Sequence, residues 1–162
     1  MRRSTAPAAP LRAAALVMAA GLAACGQAPA VRTPAPPPQF VDARTLPLSQ
    51  ASAGDYDRVL ETGLAAEPQI WRAQNVSTKV YRAPAALGRE AITAYYRKAA
   101  AEGGWVADPA LAPPARSALA GQYWSFGYKA GDRRFMVAGV EPGPALAAPP
   151  AGLPVVVRTN AE

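Results

Sequence analysis

Few side chains in this sequence are equipped for covalent chemistry. Cys25 is the single cysteine, and none of the 162 residues is a histidine. The chain therefore lacks the commonest general base near neutral pH and the commonest transition-metal ligand. With one thiol it has no intramolecular disulfide and no zinc–thiolate cluster of its own. Neither a phosphate-cradling glycine loop nor a Gly-x-Ser-x-Gly elbow occurs. A pair of carboxylates could run glycoside hydrolysis. Asp55 and Asp57, however, stand where a helix is expected to open, and acidic groups there meet the favourable end of the helix dipole. Asp108 falls in a Pro-rich stretch and Asp132 in an expected turn, both ordinary places for aspartate. Ser125 and Lys129 form a nominal nucleophile–base pair, but four residues along a strand separate them by about 13 Å. No catalytic residue, cofactor or metal is assigned, and the expected protein is not an enzyme.

Binding chemistry has two candidate groups. Tyr95, Tyr96, Trp105, Trp124, Phe126 and Tyr128 could line a groove for an apolar ligand or a peptide; the alternative is that they are the core of a small helix–sheet sandwich. Lys129, Arg133 and Arg134 bracket an expected hairpin tip, where they could touch lipid headgroups or an acidic partner. Charges there also suppress edge-to-edge aggregation.

The elements that would carry these groups can be read from periodicity. Tyr56, Val59, Leu60, Gly63 and Leu64 make a helical stripe, with Asp55 as its N-cap and Pro68 beyond its end. Gly63 weakens that helix by about 1 kcal/mol relative to Ala. Val76, Thr78 and Val80 alternate with polar neighbours, predicting a strand over 75–82. Residues 88–102 form the clearest helix, with Ile92, Tyr95, Tyr96, Ala99 and Ala100 on one stripe. Gly103 or Gly104 suits its left-handed terminus, and Trp105 can fold back over the last turn. Gln122–Lys129 and Arg133–Glu141 flank Ala130-Gly131-Asp132 as a hairpin, and Leu153–Thr159 supplies a last strand. The expected fold class is α+β. It comprises a small antiparallel sheet of about four strands packed on one main helix, a weaker N-terminal helix, and helical cover on one face.

The N-terminus has a different character. Arg2, Arg3 and Arg12 precede an unbroken apolar stretch, Ala13–Ala24, of 12 residues. As a helix it would extend about 18 Å, short of the roughly 30 Å of a bilayer's hydrocarbon core, so it reads as an export signal rather than a span. Leu22-Ala23-Ala24-Cys25 resembles the lipobox of bacterial lipoproteins, a Leu followed by two small residues and a Cys. That resemblance implies removal of residues 1–24, diacylglyceryl transfer to the Cys25 thiol and frequent acylation of the new amino group. It further implies a place in the cell envelope. Gly26, where an Asp would signal inner-membrane retention, favours the outer membrane of a two-membrane cell. The alternative is an ordinary signal cleavage beside a chance thiol.

Residues 25–47 then read as a lipidated, Pro-rich tether. Pro29, Pro34, Pro36, Pro37, Pro38 and Pro47 deny it helix and ladder alike, and a polyproline-II path would let it reach about 60 Å. A Pro-rich recognition motif is the other use of such a segment. Residues 48–162 make one small domain. Of the 17 basic and 11 acidic residues, three of the basic ones lie in the signal, which leaves the mature chain near +3. So small and dispersed a charge argues against a nucleic-acid partner. A helix with Tyr95-Tyr96 running into Gly104-Trp105, then a strand, a Gly131-Asp132-Arg133 turn and another strand, is similar to small α+β domains of exported bacterial lipoproteins. That likeness covers about residues 76–158. The expected function is a non-catalytic interaction or assembly module held at the membrane through Cys25, with an envelope protein as partner. A carrier of a small apolar ligand is the alternative, and an envelope hydrolase comes last.

Overall fold

Gly131 and Asp132 make a two-residue turn between the paired residues Ala130 and Arg133. The φ of Gly131 is positive (63°) while no non-glycine residue among those described, Asp132 included, has a positive φ, the sign pattern of a type II′ hairpin turn. It aligns Ala130 with Arg133 and carries the register to Tyr123 opposite Val140. The structure is a computed structural model describing residues 31–67, 71, 75–113, 122–142 and 151–161. In chain order the elements are β1 (Val41–Asp42), α1 (Leu48–Ala51), α2 (Asp55–Ala66), β2 (Ser77–Ala83), α3 (Arg89–Glu102), β3 (Val106–Ala107), β4 (Tyr123–Ala130), β5 (Arg133–Val140) and β6 (Leu153–Thr159). The strands form one sheet in the order β1-β2-β6-β5-β4-β3, with every neighbouring pair antiparallel.

The fold is α+β, as expected, with six strands and three helices among the described residues where about four strands, one main helix and a weaker N-terminal helix were predicted. The four long strands match the predicted ones to within two residues. The two additional strands are two residues each, too short for alternation to register.

The larger difference is in the layering. Helical cover was expected on one face, and the structure covers both. Tyr81, Trp124, Phe135, Val137, Val155 and Val157 point to a face closed by Ile92, Tyr96 and Ala100 of α3. Tyr123, Met136, Ala138, Val140 and Val156 point the other way, under Tyr56 and Leu60 of α2. This two-sided burial explains the unbroken apolar runs in β5 and β6, since a strand covered on both faces has no polar side to alternate with.

Both helix ends follow local rules. At the C-terminus of α3, Gly104 is left-handed (φ 74°). Trp105 N–H donates to Ala100 O at 2.9 Å and Gly104 N–H to Ala101 O at 3.3 Å, a Schellman closure. Trp105 thereby folds back edge-on to Phe135, with ring centroids 4.8 Å apart. At the start of α2 the N-cap is Gly54 rather than Asp55, which lies in the first turn. Gly54 makes no side-chain cap; Asp57 instead reaches back past it, its Oδ2 accepting from Ala53 N–H. Pro68 lies outside the described residues.

Asp57 has a second task. The guanidinium of Arg82, 3% exposed, pairs with it at 3.0 Å and also donates to the Ala51 carbonyl, so one cation ties α1 and α2 to β2. The helix's weak point, Gly63, is explained by its neighbour: a Cβ there would overlap the Tyr123 ring. Close approach of α2 to the sheet requires the missing side chain.

Residues 31–47, read from the sequence as part of a tether, lie against the domain. Phe40 is in the core beside Tyr81, Val41 and Asp42 pair with Arg82 and Tyr81, and Trp105 Nε1–H donates to Arg32 O at 3.2 Å. Proline keeps residues 34–38 of this strap out of a ladder, yet their carbonyls can accept from side chains, as that of Ala35 does from Tyr95.

Gly63→Ala should destabilise the fold by about 1–3 kcal/mol through overpacking against Tyr123, despite alanine's better helix propensity; urea unfolding with an unchanged slope would show it. Asp57→Ala should cost about 3–5 kcal/mol because Arg82 is left buried and unpaired, and Arg82→Met in the same chain should recover most of that loss.

Candidate functional site

The aromatic set can now be placed. Tyr96 is fully buried, Trp124 and Trp105 are nearly so, and Tyr128 packs with them on the α3 face. Tyr128 stacks on Phe135 with centroids 5.1 Å apart, and Trp124 lies parallel to the half-buried Phe126 at 5.8 Å. Trp124 also covers the space that a Cβ at Gly139 would occupy across the strand pair. The crevice between α3 and the sheet, bordered by Ile92, Trp124 and Val155, holds about 10 Å³, no more than one water's worth of room. Tyr95 is exposed and donates to the carbonyl of Ala35 at 3.2 Å. Five of the six aromatics thus serve the packing of one face, and the sixth holds the strap.

Phe126 leads to the site with space. A groove of about 480 Å³ runs between the N-terminal half of α3 and β4. One wall is Arg89, Glu90, Thr93, Ala94 and Arg97, the solvent side of α3; the other is Ser125 and Phe126, with Glu141 closing one end. Arg89 and Glu141 face each other at 3.8 Å.

The outer edge of β4 gives this groove its chemistry. β3 covers only Tyr128 and Lys129, and Asp108 N–H reaches Gly127 O at 2.8 Å. By antiparallel alternation the backbone groups of Ser125 point the same way, and among the described residues no strand meets them. The Ser125 hydroxyl donates to Leu111 O at 3.1 Å and lies close enough to the Glu67 carboxyl to favour its charged form. Such a groove offers backbone donors and acceptors beside charges of both signs, which is recognition chemistry for an extended chain.

The basic group divides. Arg134 is bound to the buried carboxylate of Asp108 at 3.1 Å, and Asp108 also caps the Pro109–Leu111 turn. Lys129 and Arg133 are exposed. Cys25 lies outside the described residues. Among the described residues no three acidic side chains gather as a metal site, and no helix is long and apolar enough to cross a membrane.

One buried polar pair gave no sign in the sequence. Glu67, at the end of α2 and 5% exposed, accepts from Tyr123 Oη at 2.6 Å, while its second oxygen is buried without a partner. Burial pushes the Glu67 carboxyl above the ordinary carboxylate value, opposed by the Tyr123 hydrogen bond. The same burial raises the Tyr123 phenol, reinforced by the Glu67 contact. A glutamate after a helix looks solvent-exposed in sequence; only the packing of α2 on β4 puts it inside.

The folded state binds the Glu67 proton more tightly than the unfolded chain does. Its stability must therefore fall as pH rises above the model-compound value of 4.5 towards the higher folded value. Glu67→Gln keeps an acceptor for Tyr123 and cannot ionise. Its stability relative to the parent should be flat in acid and increase between pH 4.5 and neutrality, measured by urea unfolding across that range.

No family model matches this chain, and neither a curated protein nor a solved structure shows significant similarity to it. The groove between α3 and the edge of β4, lined by charge of both signs, therefore stands on its own geometry as the candidate interaction site.

Proposed function

We propose that this chain is a lipid-anchored envelope lipoprotein whose domain is a non-catalytic interaction module, taking an extended segment of a partner protein along the outer edge of β4. The supporting observation is the juxtaposition of that edge, which no strand meets among the described residues, with the charged groove beneath α3. An added strand would find backbone partners at Ser125, an apolar contact at Phe126, and Arg89, Glu90 and Arg97 to select its side chains. The alternative carrier role has little support, because the apolar crevice at Ile92, Trp124 and Val155 holds only about 10 Å³ and the open groove is lined largely by charged side chains. A hydrolase has less: of the groove's two carboxylates, Glu90 and Glu141, the second is paired with Arg89. Asp57, Asp108 and Glu67 are held by Arg82, by a turn and Arg134, and by a tyrosine. Anchoring rests on Leu22-Ala23-Ala24-Cys25, and a mass measurement showing an unmodified Cys25 would remove it.

A photo-crosslinking residue in place of Thr93, in the full-length protein in cells, should capture one envelope protein. The same residue in place of Glu61 on α2 should not. Thr93→Trp, which fills the groove from an intermediate surface position, should lower capture through a neighbouring crosslinker at Ala94 by about tenfold, the loss of one modest contact. Recovery of the same bulk envelope proteins from both faces would overturn the proposal.

A further inference from the structure

The strap enters the domain at a defined end of the sheet. Thr33 Oγ1 meets Thr159 Oγ1 at 2.6 Å, and Thr159 in turn donates to Arg134 O at 3.1 Å, so the chain arrives beside the β4–β5 turn. From there it runs across the α3 face to Val41, which pairs with Arg82 at the far end of β2. The C-terminus of α3 and the β3 strand lie at the same end as the turn, since Val106 pairs with Lys129.

Charge is distributed unevenly between the two ends. Around the point of entry, Arg32, Lys98, Lys129 and Arg133 are exposed and make no ion pair among the described residues. Among the described residues the exposed carboxylates there are Glu102 and Asp132, and Asp108 is buried and held by Arg134. Val106, 62% exposed, adds an apolar side chain to this surface. At the far end the cations are already matched, Arg44 with Asp42 at 2.7 Å and Arg89 with Glu141 at 3.8 Å.

Distance converts this asymmetry into an orientation. Six residue steps separate Cys25 from Val31, and at most about 3.6 Å per step gives some 20 Å of reach. That is much less than the roughly 60 Å of a free polyproline tether through residue 47. On the strength of the lipid anchor proposed above, we infer that the basic end of the domain, through Arg32, Lys98, Lys129 and Arg133, rests on the anionic phospholipid headgroups of the membrane that holds Cys25. Each juxtamembrane cation favours such contact, and the short leader keeps these groups within a few Debye lengths of the surface. The α3–β4 groove then opens along the flank of a domain standing on its basic end.

The full-length protein, extracted from membranes and reconstituted into phosphatidylcholine vesicles with or without phosphatidylglycerol, tests this. A fluorophore is attached through Ala101→Cys at the basic end or Ala85→Cys at the other, with nitroxide-headgroup lipids as quencher. With phosphatidylglycerol, quenching at position 101 should exceed that at 85. Removing one cation, as in Lys129→Gln or Arg133→Gln, should weaken the contact about fivefold at low salt. Ionic strength near 1 M, where the Debye length is about 3 Å, should abolish the difference. Equal quenching at the two positions, or quenching at 101 indifferent to phosphatidylglycerol, overturns the inference and leaves the anchor standing. A parent protein that itself takes the label does so at Cys25; that result removes the anchor and the inference together.

Discussion

Burial of both faces of β5 and β6 is the constraint on which the rest of the structure depends. Phe135, Met136, Val137 and Ala138 are each fully buried, and consecutive residues on a strand point to opposite sides. A single helical layer would leave half of them in water, at about 25 cal/mol for every Å² of apolar surface left exposed. Hence α2 closes one side and α3 the other, and the strap with Phe40 completes the α3 side. The remaining features are adjustments to this sandwich: Gly63 lets α2 approach Tyr123, and Gly139 makes room for Trp124.

Much of this was legible before any coordinates. Apolar alternation located β4, the α3 stripe was marked by Ile92 and Tyr96, and Gly103-Gly104-Trp105 announced a helix closure, with Gly104 taking the left-handed position. The second layer was also encoded, in the unbroken runs Phe135–Ala138 and Val155–Val157, which a sheet covered on one face has no reason to contain. What sequence could not supply were the pairings of two-residue strands and the burial of Arg82 and Glu67. Those depend on which distant groups arrive beside them, Asp57 in one case and Tyr123 in the other.

The candidate site was less legible for the same reason. The aromatic residues announce themselves by type, and the structure spends most of them on packing. The groove depends instead on the backbone of Ser125 and on the solvent side of α3, whose Arg89, Glu90, Thr93 and Arg97 read in sequence as an unremarkable polar surface. A strand edge has no compositional mark; it becomes visible only once β3 is seen to stop at two residues.

The route of the strap has a mechanical meaning. Because the chain enters beside the β4–β5 turn and is clamped along its length at Arg32, Ala35 and Phe40, tension applied from the N-terminal side acts along the strap rather than across it. The attachments are then sheared together instead of being peeled one after another. Force is shared among hydrogen bonds to Trp105 and Tyr95 and the buried Phe40 ring before it reaches the β1–β2 pair. The strap, with its two side-chain hydrogen bonds and one buried ring, is the part of the domain that such a force would load first.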